Sequence, residues 1–215
     1  AGLLVHEGND WCADTLIARI QHYLYKKKEY DPAAENSFVP ALCNRIDRNT
    51  CGIVIAAKNS ATLRVLNDKI KERELEKKYL CVVKGAPKRK SGVLEHFILK
   101  NEKTNTVEAL AAPAPGAKTA KTKYTVLTSH DGMSLVEAEL LTGRTHQIRA
   151  QFAAIGHPLI GDTKYGKAND GHGFTWQALC SYKLTFRFES DAEHLAYLDG
   201  RCFTVKDAWF LEKLG

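Results

Sequence analysis

The sequence predicts an α+β fold built on a mixed sheet. Several segments alternate between apolar and polar residues, as half-buried strands do. The strand-like segments are 77–84, 121–128, 134–141 and 179–188. The segments with helical spacing of apolar residues are 14–28, 60–73 and 145–155. Strands and helices do not alternate regularly along the chain, so a series of βαβ units is not indicated.

The first half of the chain is predicted to hold two helices and two strands. Residues 14–28 place Leu16, Ile17, Ile20, Tyr23 and Leu24 on one stripe, with lysines at the C-terminal end. The apolar run 52–58 predicts a buried strand. Ser60 is then expected to cap a helix that ends near Arg73. The strand 77–84 stops at Gly85, before a basic, turn-rich stretch.

The second half is predicted to be richer in strands. Residues 101–119 carry many Asn, Thr, Pro and Gly residues and indicate an exposed hairpin or loop. The turn 130–132, His-Asp-Gly, joins two alternating strands. A short helix over 145–155 closes at Gly156. A last strand follows, and the partly apolar tail 202–214 is expected to pack on the body of the protein.

Composition narrows the function classes. The 215 residues are 44% hydrophobic, enough for one core of ordinary size, and the net charge of +6 suits a polyanionic partner without proving one. The six cysteines include no CxxC pair and no Cys/His cluster with metal-ligand spacing. They indicate small core residues in a reducing compartment. No apolar run approaches the roughly 18 residues of a membrane span. The cytoplasm is therefore the expected location.

Asp47 is the first candidate for chemistry. It lies in the segment 44–52, Asn-Arg-Ile-Asp-Arg-Asn-Thr-Cys-Gly, between Arg45 and Arg48. A turn that leads into a buried strand holds a carboxylate rigidly. The flanking cations favour its ionised form, which can act as a nucleophile or a base. Taken alone, the same pattern also fits a surface acid paired with a neighbouring arginine.

Two further clusters lie downstream. Tyr79 follows two lysines at the start of a strand, where its ring could stack on a nucleobase or simply be half buried. The segment 141–149, Leu-Thr-Gly-Arg-Thr-His-Gln-Ile-Arg, predicts a helix N-terminus with backbone N–H groups available to anions. His146 and Arg149 are expected on one helix face. With Arg144 and Gln147 they indicate an anion-binding site, or else a solvated helix end.

In this order, these clusters resemble the RluA-type pseudouridine synthase family. The matching segments are 44–52, Lys77-Lys78-Tyr79 with Val82 and Gly85, 120–124, 142–149, and 155–162 with Tyr165-Gly166. The resemblance implies the fold of that family, a mixed and mostly antiparallel sheet flanked by helices and loops around a basic cleft. Residues 1–215 would then be a catalytic domain. We expect the full protein to add an N-terminal strand and, as in many relatives, a small RNA-binding domain of the S4 type.

The resemblance also implies an activity. Family members are isomerases that convert uridine in structured RNA to pseudouridine, without a cofactor or metal. By resemblance the catalytic residues are Asp47, Tyr79 and Arg149, with Arg149 pairing with Asp47, and Tyr79 stacking on the uracil. The substrate-binding residues are Arg45, which would fill the gap left by the extracted base, and Arg144, His146 and Gln147. Ribosomal RNA is the favoured partner and transfer RNA the second, with no membrane partner and a monomeric enzyme expected.

The chain departs from the family pattern at three places. Asn44 and Gln151 stand where histidine is usual or frequent, and Cys180-Ser181 replaces a common His-Ala. None of these changes touches the acid, the tyrosine or the arginine, so we expect effects on substrate choice rather than on activity.

Two other functions compete with this one. An RNA-binding or ribosome-assembly module could keep the fold without the chemistry, although a pure binder needs no carboxylate facing phosphates. A glycoside hydrolase also cleaves at an anomeric carbon. That class needs two carboxylates about 5–10 Å apart, and no second acid in this sequence has a setting like that of Asp47.

Overall fold

The computed structural model describes residues 2–5, 14–34, 37–166 and 173–214, and these form an α+β fold. The helices are α1 (Leu16–Lys26), α2 (Ser60–Lys71) and α3 (Gln147–Ala154), with 3₁₀ turns at Glu193–Leu198 and Leu211–Leu214. The strands are β1 (Ala41–Leu42), β2 (Cys51–Gly52), β3 (Ala56–Ala57), β4 (Leu75–Lys84), β5 (Ser91–Asn101), β6 (Thr106–Leu110), β7 (Lys118–His130), β8 (Met133–Leu140), β9 (Leu179–Phe186) and β10 (Cys202–Thr204).

The main sheet is mixed and mostly antiparallel, as predicted. Its strand order is β10-β9-β4-β8-β7-β5-β6, and β2 adds to β9 in parallel. The pairs β4/β8, β8/β7, β7/β5 and β5/β6 are all antiparallel. The short strands β1 and β3 form a separate antiparallel ribbon. Among the described helices, none combines the length and the apolar character needed to cross a membrane.

The chain divides into two compact units. The first unit comprises Ala1–Asn49, Ile53–Glu76 and Leu184–Phe203. The second unit comprises Thr50–Gly52, Lys77–Lys183 and Thr204–Gly215. Each unit has its own buried apolar cluster, so each can be described by itself.

In the first unit, α2 packs on a cluster that includes Leu66, Leu75 and Phe186. The two helices begin and end within two residues of the predicted bounds, but their caps and faces differ in detail. Asn59, not Ser60, caps α2, because its side chain accepts a hydrogen bond from the Thr62 N–H. On α1 only Ile17 and Leu24 are buried, whereas the Tyr23 of the predicted stripe is 59% exposed.

A buried ion pair also stabilises the first unit. Lys69 of α2 and Glu74 are 3% and 5% exposed, and they meet at 2.8 Å. Ser190 completes the network, since its carbonyl and hydroxyl oxygens accept from the Lys69 ammonium at 2.7 and 2.6 Å and its hydroxyl donates to Glu74 at 2.6 Å. Burial raises the pKa of Glu74, but these hydrogen bonds and those from the backbone lower it more, from 4.5 to about 2.

In the second unit, the sheet carries α3 on one face. Phe152 of α3 is fully buried in a cluster with Tyr79, Val136 and Leu159. The opposite face of the sheet is covered by a second cluster that includes Val82 and Phe210, so the C-terminal tail packs on the protein as predicted. The predicted hairpin of two strands joined at 130–132 is confirmed as β7 and β8.

Two predictions of strands need correction. The buried strand predicted over 52–58 is wrong: Ile53–Ile55 lie outside any strand, between β2, which pairs with β9, and β3, which pairs with β1. The strand β5 was not predicted, and with β6 it forms a hairpin, which is one of the two alternatives expected for 101–119. Both errors concern segments whose state depends on distant pairing partners.

Candidate active site

Asp47 lies in a loop of the first unit, and hydrogen bonds join the two ends of this loop. The loop connects β1 to β3, and the Asn44 side-chain oxygen accepts a hydrogen bond from the Ile55 N–H at 2.7 Å. The Cys43 N–H donates to the Ile55 carbonyl at 2.8 Å, which continues the β1/β3 ladder into the loop. Within this loop Asp47 is partly exposed and Arg45 is exposed. Asp47 is therefore a partly exposed residue on a loop whose base is fixed by backbone pairing.

Asn44, one of the three departures from the family pattern, is thus a structural residue. Its amide ties the strand before Asp47 to the strand after it, and this bond fixes the loop ends. An Asn oxygen accepts such a hydrogen bond readily. Asn49 completes the turn with a backbone φ of 70°, in the left-handed region that Asn tolerates better than most residues.

Three residues of the same loop, Thr50–Gly52, belong to the second unit, where they line up beside β9. Gly52 pairs with Ser181 in parallel register. Its φ of 115° and its closeness to the Ser181 backbone both require glycine, because an added Cβ would overlap the Ser181 carbonyl oxygen. The Gln177 amide also donates to the Thr50 hydroxyl at 3.3 Å. These contacts fix Thr50–Gly52 beside β9 in the second unit.

Tyr79 lies on β4 and is largely buried. Only 7% of the residue is exposed, and its ring belongs to the apolar cluster beneath α3. Its two preceding lysines are not equivalent. Lys77 shares a sheet face with Tyr79, and burial lowers the pKa of its ammonium group. Lys78 points to the other face and pairs with Glu137 at 3.0 Å.

The start of α3 is unusual in its backbone. His146 is the N-cap residue, and its φ of 50° places it in the left-handed region. The helix itself begins only at Gln147. The prediction that His146 and Arg149 share a helix face is therefore wrong, since His146 precedes the helix. Several polar side chains at this helix start form hydrogen bonds with other groups of the protein.

The side chain of Gln147 is buried and fully hydrogen-bonded within the protein. It is 3% exposed, and both ends of its amide are bound. Its oxygen accepts from the Thr142 hydroxyl at 2.7 Å and from the Arg144 N–H at 3.0 Å. Its nitrogen donates to the Lys121 carbonyl and the Thr122 hydroxyl at 3.0 and 2.8 Å. Gln147 thus shapes the loop before α3, and its assignment as a substrate contact remains a prediction.

Gln151 continues the same buried network one helical turn later. Its oxygen accepts from the Thr122 hydroxyl at 2.6 Å, and its nitrogen donates to the carbonyls of Leu94 and Ala120 at 3.1 and 3.0 Å. The two glutamines therefore fix α3 on β7 through one shared threonine. Arg144 is also tied to β7, because its Nε donates to the Thr119 carbonyl at 3.0 Å.

Arg149 is held by an acid to which the sequence analysis gave no role. Its Nε and Nη2 donate to the two carboxylate oxygens of Asp162 at 2.7 and 2.9 Å. The side chains are 7% and 0% exposed. Asp162 also accepts from the N–H groups of Lys164 and Tyr165 at 2.9 and 3.2 Å. A bidentate, buried pair of this kind fixes the plane of the guanidinium as well as its position.

Tyr165 connects Arg149 to His146. The Arg149 guanidinium carbon lies 5.2 Å from the centre of the Tyr165 ring, and the Tyr165 hydroxyl is 2.7 Å from His146 Nδ1. The Val107 N–H donates to the same hydroxyl at 2.9 Å. Asp162 and Tyr165 both lie in the last of the segments that resemble the family. The sequence therefore pointed to these residues, but it did not show that they hold Arg149 and His146.

The other histidine in the motif has a structural role. His157 Nδ1 lies 2.8 Å from the Lys84 carbonyl oxygen, so the ring nitrogen is the donor. This hydrogen bond ties the turn after α3 to the end of β4.

The predicted site residues are shared between the two units. The first unit carries Arg45 and Asp47, and the second carries Tyr79, Arg144, His146, Gln147 and Arg149. Within the second unit, the structure brings Arg149 and His146 together around Tyr165, and it joins Arg144 to Gln147 by a hydrogen bond. The pairing of Asp47 with Arg149 stays a prediction.

Comparison with known proteins identifies relatives in sequence. A model of the RNA pseudouridylate synthase family matches residues 1–154. An uncharacterised RNA pseudouridine synthase of Chlorobaculum parvum is 36% identical over 170 residues, 78% of this chain and 51% of that protein. Ribosomal large subunit pseudouridine synthase D of Borreliella burgdorferi is 32% identical over 184 residues, 85% of this chain and 55% of that protein. The chain thus spans about half the length of the curated relatives it matches.

Solved structures agree on the fold. Human RNA Pseudouridylate Synthase Domain Containing 4 has a TM-score of 0.74 at 21% identity, covering 99% of this chain and 84% of that chain. Human RNA Pseudouridylate Synthase Domain Containing 1 has a TM-score of 0.70 at 24% identity, covering 99% and 86%. At these identities the likeness shows the fold alone. On the family match and the sequence relatives, the chain belongs to the RNA pseudouridylate synthase family.

Proposed function

We propose that this chain carries the catalytic domain of an RNA pseudouridine synthase, an isomerase that acts on specific uridines in structured RNA. The observation that carries the proposal is the family match over residues 1–154, a range that contains Asp47, Tyr79 and Arg149. In the reaction the N1–C1′ bond of a uridine breaks, the uracil turns, and a C5–C1′ bond forms. The bases of the substrate need to leave their stack, which costs a few kcal/mol.

Asp47 is the proposed reacting group. Asp47 is partly exposed, and its loop is tied at the base through Asn44, which suits a group that has to meet a substrate in a fixed position. Three routes are open to this carboxylate: attack on the sugar, attack on the base, or removal of the 2′ proton. Each of them requires the ionised form.

Arg149 is the proposed partner of Asp47. Because Asp162 neutralises the guanidinium, we expect Arg149 to act less by net charge than by a hydrogen bond in a fixed direction. Tyr79 is proposed to contact the uracil and to help remove its C5 proton. Its low exposure means that the substrate base has to come close to the β4 surface to reach it.

Arg45, Arg144 and His146 are proposed to bind the RNA. Arg45 is exposed beside Asp47, as a residue that replaces an extracted base would have to be. Large-subunit ribosomal RNA is the proposed substrate, supported by the names of relatives such as the Borreliella burgdorferi enzyme. We propose that the protein works as a monomer in the cytoplasm.

Release of tritium from RNA labelled at uridine C5 tests the activity. The wild-type chain is expected to release tritium from large-subunit ribosomal RNA, and the Asp47→Asn variant is expected to release none above background. Asp31→Asn is a matched control, since Asp31 is an exposed acid of the same unit. Release from transfer RNA alone would change the proposed substrate, and tight RNA binding without release would indicate a non-catalytic RNA-binding module.

The role of Arg149 has its own test. Arg149→Met is expected to lower turnover of bound RNA by at least about tenfold, or ~1.4 kcal/mol in activation free energy, while the Kd for RNA changes less. Turnover and Kd are measured on the same preparation below its unfolding temperature. A collapse of affinity with normal turnover of bound RNA would show that Arg149 binds RNA and does not serve Asp47.

A further inference from the structure

Two cysteines that are far apart in sequence are neighbours in the second unit. Cys51 of β2 and Cys180 of β9 are direct register partners in a parallel pair of strands. Residues paired in this way have their Cα atoms about 4.7–4.9 Å apart, and their side chains leave the sheet on the same face. Cα separations of roughly 4.4–6.8 Å are the range that a disulfide requires. In the structure both residues are thiols.

The two thiols differ in ways that suit a reactive pair. Cys51 is partly exposed, whereas Cys180 is fully buried. The Cys51 thiol donates to the Leu179 carbonyl oxygen at 3.6 Å. Its interaction with the neighbouring Cys180 thiol lowers the pKa of Cys51 to about 7, against the opposing effect of burial. The same interaction raises the pKa of Cys180. Cys51 is therefore the thiol that an oxidant in solution can reach, and Cys180 lies behind it as a second thiol.

Two other described cysteines, Cys43 and Cys81, lack this combination. Burial raises the pKa of Cys43 to about 11, and it raises that of Cys81 as well. A thiol that stays protonated at neutral pH reacts slowly with an oxidant in solution, so neither Cys43 nor Cys81 is suited to be oxidised first. Cys43 is partly exposed like Cys51, so it provides a comparison at similar accessibility.

We propose that Cys51 and Cys180 form a modification site at which a peroxide oxidises the two thiols to a disulfide. The Cys51 thiolate attacks one peroxide oxygen, the O–O bond breaks, and hydroxide leaves, which makes Cys51 a sulfenic acid. Cys180 then attacks the Cys51 sulfur, its proton is taken up by the departing hydroxide, and water leaves. In total, two thiols and one hydrogen peroxide give one disulfide and two waters.

The bond would join β2 to β9 covalently, four residues after Asp47. Cells that keep thiols reduced would reverse it, so the site is suited to a transient oxidation. The proposal does not rest on the proposed RNA chemistry, because its readout is the state of the thiols.

Mass spectrometry of tryptic peptides tests the site directly. Trypsin places Cys51, Cys180 and Cys43 in the separate peptides 49–58, 168–183 and 29–45. After treatment of the folded chain with hydrogen peroxide, the non-reduced digest is expected to contain 49–58 joined to 168–183, and dithiothreitol is expected to separate them. Peptide 29–45 is expected to stay reduced at the same dose. Failure to find the joined pair while Cys43 is oxidised would overturn the proposal.

Variants separate the two steps. Cys180→Ser is expected to stop at the sulfenic acid of Cys51, which dimedone traps. Cys51→Ser is expected to leave peptide 168–183 reduced, and Cys43→Ser is the matched control that keeps the joined pair. If a variant does not fold, alkylation of the wild-type chain by iodoacetamide at pH 7 still tests whether Cys51 is the reactive thiol. Cys51 is expected to react at least about tenfold faster than Cys43. Equal rates, or a disulfide between two chains, would contradict the proposed site.

Discussion

Replacing Asp162 by Asn removes one charge from the buried pair that orients Arg149. The wild-type carboxylate accepts two guanidinium hydrogen bonds, and the two side chains are 7% and 0% exposed. An Asn of the same shape offers one oxygen and one NH₂ group, so one guanidinium donor faces another donor. Breaking a buried ion pair in this way costs about 3–5 kcal/mol, and we expect the lower end because one hydrogen bond survives.

Urea unfolding measures this loss. With a denaturant slope of about 2–3 kcal/mol/M, a loss of about 3 kcal/mol shifts the midpoint by on the order of 1–1.5 M. The signal is tryptophan fluorescence, and two of the three tryptophans, Trp176 and Trp209, lie in the same unit as the pair. Glu193→Gln is the matched control, because Glu193 holds Arg64 by two similar hydrogen bonds, with side chains 43% and 58% exposed. That control is expected to lose much less stability, because water screens an exposed ion pair.

The burial argument would be refuted if Asp162→Asn lost no more than its control. In that case water would reach the guanidinium in solution, and the orientation of Arg149 could not be ascribed to Asp162.

Two further predictions concern the first unit and the loop anchor. The pKa of Glu74 is lowered on folding, so its stabilising effect is present above about pH 4.5 and is lost as the pH falls toward about 2. The difference in unfolding free energy between wild type and Glu74→Gln should therefore shrink from pH 5 to pH 2, and a constant difference would argue against the ionised network. Gly52→Ala is expected to lower the Tm and turnover, because the new Cβ overlaps the Ser181 backbone. Gly132→Ala, at a φ of 70° and with open space around the new Cβ, should cost only about 1–2 kcal/mol, so equal effects would contradict the role of the close contact.

The parts of the fold that follow from local pattern were predictable from the sequence. The hairpin of β7 and β8 was predicted because its residues alternate over two strands and meet at Asp131-Gly132, which both have positive φ. Helix α2 was predicted from its apolar spacing. In both cases the information lies within about a dozen neighbouring residues.

The parts that depend on distant partners were not predictable in this way. The run after Gly52 is apolar enough for one strand, yet β2 joins β9 and β3 joins β1, so no single strand runs through 52–58. Cys51 and Cys180 are close together because β2 pairs with β9, and the spacing of residues near either cysteine does not predict this.

The candidate site shows the same division. Asp47 and Arg149 were found through the order of motifs along the chain. The role of Asp162 became visible only in the structure, where its carboxylate accepts hydrogen bonds from Arg149. Gln147 was predicted to face a ligand because polar residues crowd the helix start, whereas the structure satisfies its amide with β7 and the preceding loop. A sequence does not show which polar groups find partners inside the protein.

The most direct test of the central claim is a single-turnover experiment on C5-tritiated ribosomal RNA with the protein in excess. The fraction of RNA bound and the tritium released are measured in the same reaction, for wild type and for Asp47→Asn. The account predicts that both proteins bind the RNA and that only wild type releases tritium. Equal release by the Asp47→Asn variant, or RNA fully bound by wild type with no release, would contradict it.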